Sequence, residues 1–186
     1  AKERALFTVI KRYLKECRDI RFDGNGYSEE WQQEAKRRGL DTETSVPVMI
    51  DQYLKEESVR MFGSTGVLNR AELLARSEVK WENYSMKLQI ESRVLGDLVI
   101  NHIIPAAKRY QNVLLQKALG VKQVFSEIEA ATLNEQDMQL IRRIENHTGA
   151  IVAKVEEMNK ERAHANHIDN QRERAITFHD RVVLLM

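Results

Sequence analysis

The sequence is poor in several residues that mark other classes of protein. It contains one cysteine, Cys17, so no disulfide can form within the chain, and this favours a reducing, cytoplasmic location. Two prolines and eight glycines in 186 residues are typical of a helix-rich protein rather than of a disordered one. No apolar run reaches the length of a membrane span. We therefore expect neither a disulfide scaffold nor a membrane partner.

An excess of charge of either sign is also missing. The chain has 29 Lys and Arg against 28 Asp and Glu, which gives a formal net charge of +1. Proteins that bind nucleic acid usually carry a basic excess on the binding face. The balance therefore argues against nucleic acid as a partner.

Helical periodicity is what the sequence does contain, most clearly from Asn69 to about Phe125. Asn69 is a suitable N-cap and Glu72 falls in the first turn. A proline removes a backbone hydrogen bond, so we predict a kink or a break just before Pro105. Gly120 either ends the helix or is tolerated within it. Apolar residues recur mainly at steps of three and four: Leu73, Leu74, Val79, Trp81, Tyr84, Leu88, Ile90, Val94, Leu95, Leu98 and Val99.

A second long helix is predicted in the C-terminal third. The run from Thr132 to Glu135 matches a capping box, which would start this helix. Its apolar residues are spaced close to the heptad seam of an antiparallel hairpin: Met138, Ile141, Ile144, Ile151, Val152, Val155 and Met158. The final AITFHDRVVLLM is apolar again and is expected to need a cover. The prediction is an all-α fold, with a long antiparallel helical hairpin or bundle preceded by several shorter helices.

The first third predicts shorter elements. A helix over residues 2–19 would place Leu6, Val9, Ile10, Tyr13, Leu14 and Cys17 on one face, with Cys17 as a packed thiol. DGNG at 23–26 lacks the ligand spacing of a calcium loop and the Lys of a phosphate loop, so it predicts a plain turn. Ser28 and Gly39 bound a short helix, and VMIDQYLKEES forms another. FGSTGVLN predicts a hinge, which divides the chain into 1–66, short helices and turns, and 67–186, a long-helix domain.

Histidines are the candidate metal ligands, because two of them have a spacing that could bring both to one metal ion. His164 and His167 lie three residues apart, and His179 follows. Zinc would need a third ligand and an orienting partner, and the Glu that a zinc protease places between two histidines is missing. We interpret these three as exposed or interfacial, His102 as a core or groove residue, and His147 as the mark of an irregularity around the nearby glycine. The sequence predicts no catalytic, cofactor-binding or metal-binding residue.

Three stretches resemble one known family. They are LFTVIKRYLKECRDI, FDGNGYSEEWQQEAKRRGLDTETSVPV and WENYSMKLQIESRVLGDLVINHIIPAAKRYQNVLL. Together they resemble the C-terminal portion of type III glutamine synthetases, the large bacterial form of the enzyme. The likeness runs from the start to about Val124 and continues more weakly to the end. Because the chain starts at Ala1 and lacks the family's Trp-Pro-Leu-Pro ending after Met186, we expect a piece of a longer chain.

The resemblance implies a function that lies mostly outside this sequence. In the family, ATP, glutamate, ammonia and the divalent metals, Mg or Mn, bind in an upstream β-barrel domain. Residues 1–66 would then be the trailing part of that domain or a linker. The family's metal-binding carboxylates and phosphate-handling arginines have no counterpart here, so no catalytic residue is carried over and no cofactor is expected in this chain.

The implied partners are the upstream catalytic domain and neighbouring subunits of a homo-oligomer. An alternative stays open, in which the chain is a free-standing helical module for protein–protein interaction. Such a module should cover its own ends with polar faces. The apolar residues from Leu6 to Cys17 and from Val182 to Met186 favour the enzyme fragment.

Overall fold

The computed structural model describes residues 2–186, and these form helices and turns without a β-strand. The prediction of an all-α fold is confirmed. The chain divides into two compact units, Ala1–Val46 and Pro47–Met186. Packing alone defines these units, so the assignment of 1–66 and 67–186 to different parts of a longer protein stays a prediction.

The first unit contains α1 (Lys2–Glu16), a 3₁₀ turn (Arg18–Ile20) and α2 (Glu29–Arg37). Ser28 caps α2, since its Oγ accepts a hydrogen bond from the Trp31 amide at 3.2 Å. Gly39 follows α2 with a φ of 73°, a left-handed conformation that side chains with a Cβ disfavour. The predicted start and stop of this helix are both confirmed.

The apolar face of α1 is exposed in this chain. No residue of the helix is buried, and Leu6, Ile10 and Tyr13 are 61%, 47% and 54% exposed. Cys17 is a free, exposed thiol, so the prediction of a packed thiol is wrong for this chain. An apolar stripe predicts burial, but no helix among the described residues 2–46 lies over it.

Short elements follow: α3 (Val46–Ile50), which starts at the last residue of the first unit, and then, in the second unit, a 3₁₀ turn (Asp51–Leu54) and α4 (Glu56–Ser64). The segment predicted as one short helix is therefore divided, because the backbone is extended at Lys55 with φ −63° and ψ 145°. Gly66, with a φ of 67°, then turns the chain toward the long helix.

A continuous helical run of 55 residues follows. It consists of α5 (Arg70–Leu98), a π-helical turn (Val99–Ile103) and α6 (Ile104–Val124). Its predicted cap is confirmed as a full capping box. The Asn69 side chain accepts a hydrogen bond from the Glu72 amide at 2.9 Å, and the Glu72 carboxylate accepts one from the Asn69 amide at 2.8 Å. Gly120 is tolerated inside α6.

Pro105 does not break this run. The Ile104 amide donates to the Val99 carbonyl, five residues back, within the π-helical turn. A proline ring clashes with the carbonyl four residues before it, and the wider turn relieves that clash at the first turn of α6. Of the predicted kink or break, the break does not occur, and a local change of hydrogen-bond register keeps the run continuous.

The second long helix, α7 (Glu127–Asn166), starts earlier than predicted. Its capping box is Ser126 with Glu129, and Thr132 lies inside the helix with its hydroxyl donating to the Ile128 carbonyl at 3.1 Å. Both segments have the capping-box spacing, and the one nearer the end of α6 is used. The irregularity predicted near His147 is also wrong, because α7 passes through Gly149 as regular helix at a cost of only about 1 kcal/mol.

The antiparallel pairing of α7 with the long run is confirmed by three contacts. Residues further along α7 contact residues that lie earlier in the long run. The Asn134 side chain donates to the Ala118 carbonyl, and Gln111 donates to the Ile141 carbonyl. Further along, Met158 lies against Gly96. The buried residues of α7 keep a heptad spacing: Ala130, Asn134, Ile141, Thr148, Val155, Met158 and Ala165. Of the predicted seam residues, Ile141, Val155 and Met158 are buried and Ile144, Ile151 and Val152 half-buried, but Met138 is exposed, so its predicted place toward the partner helix is wrong.

The chain then folds back through α8 (Gln171–Thr177), a second π-helical turn (Phe178–Val182) and a 3₁₀ turn (Val183–Leu185). Phe178 and Val182 are fully buried in one cluster with Leu88, Val99, Val155, Met158 and Ala165. The expectation that the apolar C-terminal segment needs an outside cover is wrong for these two residues, since α5 and α7 supply it. Leu184, by contrast, is 77% exposed.

Candidate functional site

The buried seam of α5 is built largely from small residues. Ser77, Ser85, Ser92 and Gly96 are buried on the same side as Trp81 and Leu88. Each serine hydroxyl donates to a carbonyl of its own helix, so no partner is needed from outside. The sequence analysis missed them because it followed apolar residues only, although their spacing places them on the seam.

Close approach of the helices is the consequence of these small residues. A Cβ on Gly96 would lie 3.4 Å from Cε of Met158 and 3.5 Å from Cγ1 of Val155. Contacts of this kind fix the register of the two long helices. The seam is therefore closely packed around Gly96.

A polar network fixes the hairpin nearer its tip. The buried Gln111 amide donates to the Ile141 carbonyl at 3.2 Å and to the Glu145 carboxylate at 2.9 Å. Lys108 pairs with the same carboxylate, and these contacts, that of Lys108 first, lower the pKa of Glu145. Each charged group has a partner of opposite sign or an amide, so the network serves packing rather than catalysis.

The histidines do not form a metal centre. His164 and His167 are exposed at the end of α7, and His179 lies in the second π-helical turn with Nδ1 2.8 Å from the Asp180 carboxylate. Within residues 2–186 no three His, Cys, Asp or Glu side chains are arranged to hold a metal. His102 is exposed on the first π-helical turn, so its predicted place in the core or a groove is wrong.

One ionic cluster lies in the first unit, on α2. Glu34 accepts hydrogen bonds from Arg37 at 2.7 and 2.6 Å and from Arg38 at 2.6 Å. Arg38 also donates to the Arg21 carbonyl at 2.8 Å, which ties α2 to the chain before it. Both arginines are engaged by this carboxylate, so they have a structural role at the end of α2.

The pH dependence of this cluster follows from its geometry. The hydrogen bonds from Arg37 and Arg38 lower the pKa of Glu34 from 4.5 to about 2. A lowered pKa stabilises the folded state above the unfolded value, and this contribution is lost as the pH falls from 4.5 toward 2. An NMR titration of the Glu34 carboxyl carbon should show a midpoint far below 4.5. Ordinary titration of Glu34, or no shift of its midpoint on changing both arginines to glutamine, would contradict the cluster.

Comparison with known proteins assigns this helical chain to a family. The sequence model of the family described as "Glutamine synthetase C-terminal domain" matches residues 5–122. The chain belongs to this family. The match to the glutamine synthetase C-terminal domain runs from α1 into α6, which confirms the resemblance drawn from the sequence.

Individual relatives extend the match. A glutamine synthetase from Bacteroides fragilis (strain YCH46) is 42% identical over 181 residues, which cover 97% of this chain and 25% of the relative. A type-3 glutamine synthetase from Dictyostelium discoideum is 29% identical over 121 residues, 65% of this chain and 16% of the relative. A glutamine synthetase from Butyrivibrio fibrisolvens is 29% identical over 114 residues, which cover 61% of this chain and 16% of the relative. The chain thus spans a quarter or less of the length of these relatives.

The family assignment fits the site as described. In the glutamine synthetase C-terminal domain seen here, paired charges and small seam residues hold the long helices in register. No helix in the described part of the chain is long and apolar enough to cross a membrane.

Proposed function

We propose that this chain is the helical C-terminal part of a glutamine synthetase, where it supports the structure and assembly of the enzyme and performs no catalysis by itself. The observation that carries the proposal is the exposed apolar face of α1, in a chain that matches the C-terminal domain family. Such a face is stabilised when another surface covers it. A free-standing interaction module, the alternative, would be expected to cover it within the chain.

The proposed parent enzyme joins ammonia to glutamate with ATP and Mg or Mn. Metals and cations must surround the phosphoryl group as its charge develops, which requires convergent carboxylates and arginines. Here the prominent ones are neutralised in pairs, as in Arg172 with Asp51 at 2.7 Å and Glu34 with its two arginines. ATP and the metals are therefore proposed to bind in the upstream catalytic domain.

Two further features of the proposal follow from family and composition. Its partners are the catalytic domain and neighbouring subunits of a homo-oligomer, for which the exposed apolar faces provide contact surfaces. Its location is cytoplasmic, a proposal supported by the single cysteine of the chain, since a sequence without disulfide-forming pairs is typical of reducing compartments.

An exchange of segments tests the proposal. In the Bacteroides fragilis relative, the segment of 181 aligned residues is replaced by this chain. We expect the chimera to keep a discrete oligomer and glutamine formation, whereas deletion of the segment should abolish both. The isolated chain should form no glutamine from glutamate, ammonia and ATP. A deletion variant that stays assembled and active would overturn the proposed role.

A second variant of the same chimera separates the α1 face from the rest. Replacing Leu6 and Ile10 by aspartate should disrupt assembly of the chimera, because two charges would enter a covered apolar face. The matched control replaces Arg4 and Thr8, exposed residues on the opposite side of α1, by aspartate and should leave assembly unchanged. Normal assembly of the first variant would show that nothing covers α1.

A further inference from the structure

Helix α5 has apolar residues on two opposite faces. One face is the buried seam that includes Leu73, Trp81 and Leu88. The other, here called the outer stripe, consists of Val79, Met86, Ile90 and Val94. At 100° per residue these four fall within about 80° of one another and opposite the seam. A surface helix of a globular protein normally has one apolar face, so the second requires its own explanation.

The outer stripe is uncovered in the described chain. Val79, Met86, Ile90 and Val94 are 54%, 48%, 57% and 60% exposed. They form a row along more than four turns of helix, interrupted by one polar residue, Asn83, rather than the isolated apolar residues that are normal on a protein surface. An apolar row on a rigid, straight element is suited to pairing with another helix.

The order of residues along the outer stripe is self-complementary. Val79 and Val94 have their midpoint between Met86 and Lys87, and so do Arg76 and Asp97, which flank the stripe at its two ends. A two-fold axis at this midpoint would place each Arg76 opposite Asp97 of the second copy, and each Val79 opposite Val94. Met86 of both copies would meet at the axis, and each Ile90 would lie opposite Asn83 of the second copy, a polar residue that stays exposed here.

We propose that the outer stripe is the surface through which two copies of this chain pair, with their α5 helices antiparallel about a two-fold axis near Met86. A two-fold contact uses the same patch on both subunits and therefore requires self-complementary residues, which this helix has. Arg76 and Asp97 are both exposed, and Asp97 has one carboxylate oxygen engaged by Asn101 at 2.7 Å. The second carboxylate oxygen of Asp97 is available to accept a hydrogen bond from Arg76 of the second copy. This proposal rests on the assembly role above and names the surface for it.

Analytical ultracentrifugation of the 186-residue chain, over a wide range of concentrations, tests the pairing. We expect a monomer–dimer equilibrium, and the Ile90→Asp variant should raise the dimer Kd by roughly thirtyfold or more, as for a central interface residue. The matched control is Val113→Asp, at a residue that is 63% exposed on α6 and roughly 40 Å along the helix from the axis. Its Kd should equal that of the parent chain. Circular dichroism verifies that both variants fold.

Charge reversal tests the orientation. Arg76→Asp and Asp97→Arg should each raise the dimer Kd by roughly tenfold, because each places like charges opposite one another at both ends of the interface. The double variant should return Kd to within about threefold of the parent chain. A double variant no better than the single ones would overturn the antiparallel arrangement.

The remaining outcomes are equally informative. A chain that stays monomeric at every concentration, or a dimer that Ile90→Asp leaves intact, would overturn the pairing through this stripe. Neither outcome would affect the assembly and activity of the chimera with the Bacteroides fragilis relative, which test the proposed function separately.

Discussion

Replacing Phe178 by alanine is expected to lower the free energy of unfolding of the second unit by about 3–5 kcal/mol. The side chain is fully buried in the cluster formed by α5, α7 and the second π-helical turn. Removing it leaves a cavity among residues such as Leu88 and Met158, which belong to the two long helices and cannot collapse freely. Urea unfolding followed by circular dichroism measures the loss.

The matched control for this prediction is Leu184→Ala. Leu184 lies six residues later in the same C-terminal segment and is 77% exposed. Its replacement should change the free energy of unfolding by less than about 0.5 kcal/mol. Equal effects of the two substitutions would mean that the C-terminal segment does not pack on the hairpin as described.

Local rules account for most of what the sequence predicted correctly. The caps at Ser28 and Asn69 need only residues within one helical turn, because a side-chain oxygen accepts from an amide two or three positions ahead. The heptad spacing of α7 likewise depends on one helix alone. Such features can be predicted from a single sequence because the interactions that produce them are local.

The errors arise where distant parts of the chain meet. Phe178 and Val182 are covered because the chain folds back after Asn166, and their immediate sequence does not specify which helix they reach. At Pro105 the pattern predicts an interruption, but packing on α7 extends along both sides of it and the π-helical turn preserves the run. For Cys17 the apolar stripe predicts burial without showing what would supply it.

The outer stripe illustrates the same limit for the candidate site. Val79, Ile90 and Val94 belong to a list of apolar residues that also includes Leu73 and Leu88. Steps of three and four are consistent with a single face over short distances, yet the residues of this list lie on two opposite sides of α5. Helical geometry divides them into two sets, and burial in the structure shows which set faces the core.

The second large effect is expected at Trp81. The side chain is 3% exposed and packs with Ile50 and Ala175, which joins α3 and α8 to α5. Trp81→Ala should lower the free energy of unfolding by about 3–5 kcal/mol. Trp81→Phe keeps most of the apolar contact but leaves the Pro47 carbonyl, which now accepts from the indole nitrogen at 2.9 Å, without that donor. We expect this loss to be about 1–3 kcal/mol.

The position of Trp81 also predicts which part of the chain loses stability when the indole is replaced. The indole connects α5 with a short segment whose other strong tie is the ion pair of Asp51 with Arg172. Hydrogen exchange of the Trp81→Phe variant should therefore accelerate at Ile50 and its neighbours while the amides of α7 around Thr148 stay protected, because α7 packs elsewhere along the long run. Uniform acceleration across both regions would show that the short helices and the hairpin unfold as one cooperative unit. Protection unchanged at Ile50 would show that the indole contact does not hold this segment in place.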